Sequence, residues 1–355
     1  MEATDIQLSI VMPVFNHRDD VATMIDSVCA NDFTAWEMLA VDDGSDAETL
    51  AMLTRYAEAD SRIRVVKRDR QPKGAQTCRN IGLEMARGEY VVFFDSDDYV
   101  APYCLGQRVE QMRRHTELDF MVFPSGMYMD DTFRVEAHPY MYGYKIYADD
   151  VAQFARRELP FIVWNNIYRR ASLLSKSLKW DERLLSLQDA DFNISALAAG
   201  LRYAYAEDAR PDYGYRIASV SSVSKNIKGV RHHESHVYAN HKMWTTVQTA
   251  YGSQYDSALF DGTLNIYNAG LSGRGIDRAF ALSLVASLKD RSRAYYRLFN
   301  LQVRLTLFLQ HIVSAKVARQ LPMAFYLAKM VRKRKQKAAK VGVALSAFNS
   351  KNQSK

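Results

Sequence analysis

A chain of 355 residues with 48% hydrophobic and 25% charged side chains suits one large domain plus an appendage, or two domains, and has the balance of an ordinary globular protein. Cys29, Cys78 and Cys104 are odd in number and lack CxxC spacing, which argues against a disulfide frame or a zinc site and suggests a reducing compartment. The net charge of +7 is local, because Lys329 to Lys340 carries seven Lys or Arg and no acid. Basic residues confined to a tail, rather than interleaved with aromatics on a folded face, argue against nucleic-acid binding. The acidic start "MEATD" is unlike a signal peptide, and no apolar run reaches the roughly 18–20 residues of a spanning helix. The expectation is a mature, cytoplasmic protein.

Leu8 to Val14 reads as a buried strand ending in "PVFN", and Asp19 to Asn31 as a helix with Val21, Met24, Ile25 and Val28 on one face. Trp36 to Val41 reads as a second buried strand that breaks at Asp42-Asp43-Gly44, where the glycine permits a turn. Ala47 to Ala59 follows as helix, and "RIRVVKRD" as a third strand closed by a Pro-Lys-Gly turn. "AQTCRNIGLEMARG" reads as a helix with Gly88 as its C-cap. Tyr90 to Phe94 is a fourth strand and runs directly into Asp95-Ser96-Asp97-Asp98. Strands alternating with helices in this way imply an α/β fold with a mainly parallel sheet. Ligands of such sheets sit beyond the carboxyl ends of the strands, where "PVFN", "VDDGSD" and "DSDD" all fall.

The middle of the chain is less periodic. "LDFMVFPSGMYMD" reads as strand, "VAQFARREL" as helix and "FIVWNNIYRRASLL" as strand into helix. A helix from about Asp189 stops at Gly200, and "YGYRIASVSSVSK" is polar without clear periodicity. Beyond residue 230 the pattern is helical, with amphipathic stretches at 277–289 and 294–331 and a polar terminus that reads as disordered.

Three carboxylates against an apolar strand resist burial unless something compensates them. Hard divalent cations prefer such oxygens and share their shell with water and phosphates, so "DSDD" suits an ion bridging a diphosphate; the plainer reading is a solvated turn. Asp42-Asp43 could accept from a nucleoside, as an acid after an early strand does in nucleotide folds. Neither GxGxxG nor GxxxxGK[ST] is present, which argues against a dinucleotide fold and a P-loop.

"LSIVMPVFNHRDDVATMIDSV", "WEMLAVDDGSDAETL", "AQTCRNIGLEMARGEYVVFFDSDDYVAP", "LLSLQDADFN" and "YGYRIASVSSVSK", in that order from Leu8 to Lys225, resemble the family 2 glycosyltransferases of GT-A fold. The resemblance implies inverting transfer from a nucleotide-diphosphate sugar, with Mn²⁺ or Mg²⁺. Pro13, Val14, Phe15, Asn16 and Asp43 would line the nucleoside, with Asp42 supporting the loop and Arg79 above the nucleotide. Asp95 and Asp97 would form the DxD pair around Ser96, and either Asp97 or Asp98 would be the direct metal ligand. The family's Glu-Asp pair reads Gln188-Asp189 here, so Asp189 would be the base and would lack the neighbouring anion that raises a carboxyl pKa.

Asp191 competes for that role, although an acid in a first helical turn also has the macrodipole to explain it. Arg216, beside Tyr215, would clamp the diphosphate, with Ser219 to Ser224 in a segment over it; a surface arginine is the alternative. Trp164-Asn165 falls where acceptor loops lie, and either sugar stacking or core packing accounts for the aromatic. "RHHESH", Arg231 to His236, fits no zinc spacing well and reads as a solvated loop or helix start. The resulting division is residues 1–229 as the transferase domain (about 1–100 for nucleotide and metal, 101–229 for acceptor) and 230–355 as a helical region with a basic tail. The acceptor would be a glycan or lipid-linked hydroxyl, and the C-terminal helices and basic tail would be drawn to an anionic membrane surface. A nucleotidyltransferase and a non-catalytic sugar-nucleotide-binding protein are the competing readings.

Overall fold

The computed structural model describes residues 6–217, 230–269, 277–309, 312 and 336–350. Ser219 to Ser224, Lys316, Phe325, Leu327, Met330 and the basic residues 329–335 lie outside these. β1 (Leu8–Val14) and β2 (Trp36–Asp42) are almost wholly buried, because both are interior strands of a sheet that helices cover on both faces. Between and after them come α1 (Arg18–Cys29), α2 (Ala47–Ala59), β3 (Ile63–Lys67), α3 (Ala75–Met85) and β4 (Tyr90–Phe93). The chain continues through β5 (Tyr99–Val100), α4 (Cys104–Arg114), β6 (Phe120–Val122), β7 (Ser125–Met129), β8 (Thr132–Arg134) and α5 (Asp150–Ala155). Then follow β9 (Asn166–Arg169), α6 (Arg170–Ser175), α7 (Gln188–Ala198), β10 (Tyr203–Tyr205) and β11 (Tyr213–Arg216). The C-terminal helices are α8 (Val230–Tyr251), α9 (Asp256–Ala269), α10 (Arg278–Ala286), α11 (Arg293–Leu309) and α12 (336–350).

The main sheet has the order β10-β6-β9-β4-β1-β2-β3, and β9 alone runs antiparallel to its neighbours. The fold is therefore an α/β sheet of mostly parallel strands flanked by helices. Alternation along β1 sends Ile10, Met12 and Val14 to one face with α1, α2 and α4, and Val11 to the other with α3 and α7. That second core runs on without interruption into Trp244, Phe260, Leu284 and Val303, so helices on both sides of residue 230 share it. Among the described residues no helix is long and apolar enough to cross a membrane.

A second sheet, β5-β11-β7-β8, holds the acidic loop from the far side. β11 pairs antiparallel to β5, Tyr213 opposite Val100 and Gly214 opposite Tyr99, one residue beyond "DSDD". This strand was not legible as one. Its tyrosines are ordered by stacking on Trp164, at 4.5 Å for Tyr213 and 5.9 Å for Tyr215, which is a tertiary contact.

Two expectations are corrected. Gly88 does not cap α3, which ends at Met85 with Ala86 already extended. A Cβ at residue 88 would lie 2.7 Å from the Ser9 nitrogen, so glycine is required there for close passage across β1. The polar terminus is not without structure either. α12 buries Val341 and Leu345 against Met127, Met141 and Tyr144, which provides the apolar contact a short helix needs.

Beneath the second sheet, Arg108 and Asp212 form a fully buried bidentate pair, at 2.9 and 2.7 Å. The remaining amine of Arg108 donates to the Trp164 carbonyl at 2.8 Å, and the guanidinium lies near the rings of Phe94 and Phe123. Removing one partner leaves the other charge stranded. Arg108→Met or Asp212→Asn is expected to lower unfolding free energy by about 3–5 kcal/mol in urea titrations, and the double variant Arg108→Met/Asp212→Leu by less than either. Additive losses in the double variant would show that the pair is not coupled.

Candidate active site

The ends of β1 and β2 clasp one another. The Asn16 amide N–H donates to Ser45 Oγ at 3.0 Å, and the Asn16 side-chain oxygen accepts from Asp46 N–H at 2.9 Å. Asn16 and His17 both have positive φ, 54° and 58°, an uncommon conformation that the clasp holds in place. Asp42 accepts from the N–H groups of Gly44 and Ser45 at 3.1 and 3.0 Å, with Gly44 at φ 87°. Asp43 accepts from Arg68 at 2.5 Å and from the Gly74 N–H at 3.2 Å. Pro13 and Val14 form the strand end, while Phe15 is exposed with the Lys73 ammonium 3.5 Å from its ring centre.

The acidic loop divides into two parts. Asp98 is buried with both oxygens engaged, one by the Tyr213 hydroxyl at 2.8 Å and the other by the Arg216 N–H at 2.7 Å. Burial and then its acidic neighbours hold its pKa well above the usual carboxylate range. Asp97 is pushed up to about 6 by burial and by Asp95. Asp95 receives the Arg79 guanidinium at 2.6 Å, and Ser96 lies half-buried between the two acids. The Arg216 Nε donates to the Asp97 carbonyl at 2.6 Å, and its buried Nη2 has no partner. Arg216 is thus not a free surface arginine.

Arg79 joins this loop to α7. Its second amine donates to the Gln188 side chain at 3.1 Å, and the guanidinium lies over Trp180. Gln188 in turn donates to Gln76 and to the Leu184 carbonyl. Leu187, just before, has φ 63°, a left-handed conformation costing about 1–2 kcal/mol in a residue with a Cβ. Asp189 follows, with its Oδ1 enclosed and without a hydrogen-bond partner. Its carboxyl is pushed up to about 6, chiefly by burial and further by Asp95, while Arg79 and the Val163 N–H pull it down. Burial therefore outweighs the missing anion at residue 188.

Other candidates have structural partners. Asp191 is buried and receives Lys242 at 2.7 Å, and the same ammonium also reaches Asp181. Trp164 is packed between core aromatics, and Asn165 bonds the Phe123 carbonyl at 2.7 Å, so the indole offers no face to a sugar. Arg231 to His236 forms the first turns of α8, where Ser235 and His236 are buried and His233 pairs with Asp277. Burial lowers the His236 pKa to about 4, so that imidazole is neutral. Arg68, Gln76 and Tyr213 also belong to the site, through Asp43, Gln188 and Asp98. No local pattern marks them; only the loop crossings bring them to the strand ends.

Residues 9–178 match the profile described as Glycosyl transferase family 2. The chain is 27% identical over 195 residues to an uncharacterized glycosyltransferase, EpsJ, of Bacillus subtilis (strain 168), covering 53% of this chain and 55% of EpsJ. It is 26% identical over 244 residues to an uncharacterized glycosyltransferase, YibD, of Escherichia coli (strain K12), covering 64% and 68%. Among solved structures it resembles Staphylococcus aureus TarS 1-349 in complex with UDP-GlcNAc, with a TM-score of 0.66 at 17% identity over 91% of this chain and 92% of that one. At that identity the likeness is one of fold. Sequence profile, relatives and fold agree in their likeness to glycosyl transferase family 2, carried by residues 9–178.

Proposed function

We propose that the protein transfers a hexosyl group from a nucleoside-diphosphate sugar, a UDP-sugar, to a hydroxyl of a glycan or lipid-linked acceptor, inverting the anomeric centre, in surface polysaccharide or glycoconjugate synthesis. One observation carries the reading: a half-buried carboxylate with one enclosed oxygen, Asp189, is tethered through Gln188 and Arg79 to the acidic loop at the strand ends. The TarS structure with UDP-GlcNAc supports the donor class. Residues 1–100 supply the nucleotide half, 101–229 the acceptor half, and 230–355 the helical region. A nucleotidyltransferase is disfavoured because "VMPVFNHRDD" contains no glycine for a phosphate loop.

In this reading the loops after β1 and β2 hold the nucleoside, with the second oxygen of Asp43 facing the base. Asp189 takes the proton from the acceptor hydroxyl as its oxygen attacks the anomeric carbon from the face opposite the diphosphate. Its enclosed, unpartnered oxygen and raised pKa suit that task. Asp191 is spent on Lys242. The unpartnered Arg216 Nη2 is available to a phosphate oxygen.

The donor set fits a divalent cation. Among the described residues no three His, Cys, Asp or Glu side chains gather to enclose an ion. With Asp98 saturated, Asp95 and Asp97 remain, which suits Mg²⁺ or Mn²⁺ keeping water and diphosphate in its shell. Such an ion would supply positive charge for the departing diphosphate. Excess chelator is expected to abolish turnover, with Mn²⁺ or Mg²⁺ restoring it, and Asp97→Asn to weaken donor binding and rate together. Undiminished activity in chelator rejects the metal.

Asp189→Asn is expected to lower kcat roughly 10²-fold or more with donor affinity near wild type, whereas Asp191→Asn does far less. A stability readout is independent of turnover. Folded Asp189 holds its proton more tightly than the unfolded chain, so ionising it costs stability as pH rises through about 6. The asparagine variant should therefore gain on the order of 1–3 kcal/mol at pH 8 and little near pH 4. Equal changes at both pH values would show that the carboxyl is not perturbed.

The enzyme works in the cytoplasm at the inner face of a membrane. α11 exposes Leu298, Leu301, Leu305 and Phe308 in one stripe that continues to Ile312, beside exposed Arg293, Arg297 and Arg304. From Arg291 to Lys355 there are fifteen Lys or Arg and no Asp or Glu, against 32 basic and 40 acidic residues before it. An apolar stripe with cationic flanks suits an anionic bilayer, where each cation near the surface is worth about 1 kcal/mol. The protein should float with phosphatidylglycerol vesicles at low salt, less at high salt, and not after Leu301→Glu/Phe308→Glu. Unchanged flotation of that variant would mean that the stripe is not what meets the bilayer.

A further inference from the structure

α7 begins without a cap of its own. Its N-cap is Leu187, whose side chain makes no capping hydrogen bond and whose φ of 63° lies in the left-handed region. Helices more often start on Ser, Thr, Asp or Asn, which fix the first turn locally. Here the first turn carries Asp189, so tertiary contacts must set where that carboxylate points. On one flank α3 grips the approach, with Asn80 donating to the Trp180 carbonyl at 2.9 Å and Gln76 to the Glu182 carbonyl at 3.1 Å. Both bonds fall well before Leu187.

The other flank belongs to α8. Ser235, Tyr238 and Lys242 follow one another at three and four residues and so share a face. The Ser235 hydroxyl accepts from the Leu185 N–H at 3.0 Å, and Tyr238 donates to Asp181 at 2.6 Å. The Lys242 ammonium meets two carboxylates, Asp181 at 2.9 Å and Asp191 at 2.7 Å. Both acids have side chains only 7% exposed, where an unmatched charge is costly. One cation therefore ties the start of the loop to the first turn of the helix, across the left-handed Leu187. Further along, Tyr251 donates to the Leu197 carbonyl at 2.9 Å, so α8 tracks α7 to its end.

A left-handed residue with a Cβ persists only where its surroundings over-determine it, and α8 is what holds this one from both sides. We propose that α8 positions the base: Lys242, with Ser235, fixes the turn at Leu187 and through it aims Asp189 into the site. This deepens the transferase reading and rests on it. Lys242 acts through the backbone and is a positioning residue. The profile match ends at residue 178, before α7 and α8, so the grip lies beyond what that likeness covers. It also gives the "RHHESH" stretch a use, through its serine and not its histidines.

The test uses the full chain with Mn²⁺. Turnover is read as hydrolysis of whichever of UDP-glucose, UDP-galactose and UDP-GlcNAc the wild type cleaves fastest. Lys242→Met strands two carboxylates, so its melting temperature is expected to fall. Lys242→Met/Asp191→Leu removes one of them and leaves Asp181 to Arg183 and Tyr238, so most of that loss should be recovered. In both variants kcat should stay roughly tenfold below wild type, with UDP affinity within about threefold, because the loops after β1 and β2 are untouched. Asp191→Asn keeps an oxygen for Lys242 and should lose far less. A kcat that recovers together with melting in the double variant overturns the proposal, because the grip then serves stability alone. So does wild-type kcat in both variants, or UDP affinity that falls as far as kcat. Asp189→Asn in the same assay separates the two levels. Wild-type hydrolysis by Asp189→Asn defeats the reading of Asp189 as base, while inactive Asp189→Asn beside fully active Lys242 variants defeats this inference alone.

Discussion

Arg79 stands between two elements that would otherwise repel, with one amine 2.6 Å from Asp95 and the other 3.1 Å from Gln188, the residue beside Asp189. Its guanidinium is planar and permanently charged, and Trp180 supports it from one side. The site's spacing follows from this bridge. Without it, Asp95 would lose the guanidinium it pairs with and Asp189 the cation that opposes the repulsion from Asp95. A glutamate at 188, as the family pattern has, would pair with Arg79 as an ion; the glutamine accepts the same hydrogen bond and leaves more of the cation's field to the two aspartates.

Acid accumulates here at a cost that the rest of the fold carries. Asp97, Asp98 and Asp189 all have raised proton affinity, first of all because they are buried. The second sheet makes this tolerable by turning Tyr213 and the Arg216 N–H onto Asp98. It is anchored in turn by the Arg108–Asp212 pair and the Trp164 stack below. Stability is thus exchanged for a loop of fixed shape, as at many functional sites. The enclosed atoms left without a partner include the Asp189 oxygen, the Arg216 Nη2 and the Arg79 Nε, groups that a bound substrate could engage.

The C-terminal helices have two kinds of surface. α8 to α11 close the core over α5 and α7, which keeps Asp189 enclosed from behind. α11 then turns a stripe of leucines outward, and α12 returns to pack on Met127, Met141 and Tyr144. Lysines that read as a solvated cluster in the linear chain are partly withdrawn from it: Lys337 lies on Tyr142, and Lys340 is 5.5 Å from the Tyr147 ring. Cationic side chains lying along aromatic rings keep their charge while covering apolar surface.

The sequence by itself determined the strands β1 to β4, the helices between them and the three polar clusters at their ends. Apolar runs with polar breaks are local signals, and a parallel sheet buried on both faces makes them unambiguous. It also determined that the positive charge is a property of the C-terminus. Only the tertiary structure decided that Asp98 is saturated by β11 while Asp97 is not, that Asp191 belongs to Lys242, and that Trp164 is core. It alone brought α12 back to Tyr142. Each of these depends on a partner 25 or more residues away, or on the depth at which a carboxylate is set. Period and composition record what a residue is and how its neighbours repeat. They carry no record of which distant group meets it, and burial, hydrogen bonding and pKa are set by that meeting.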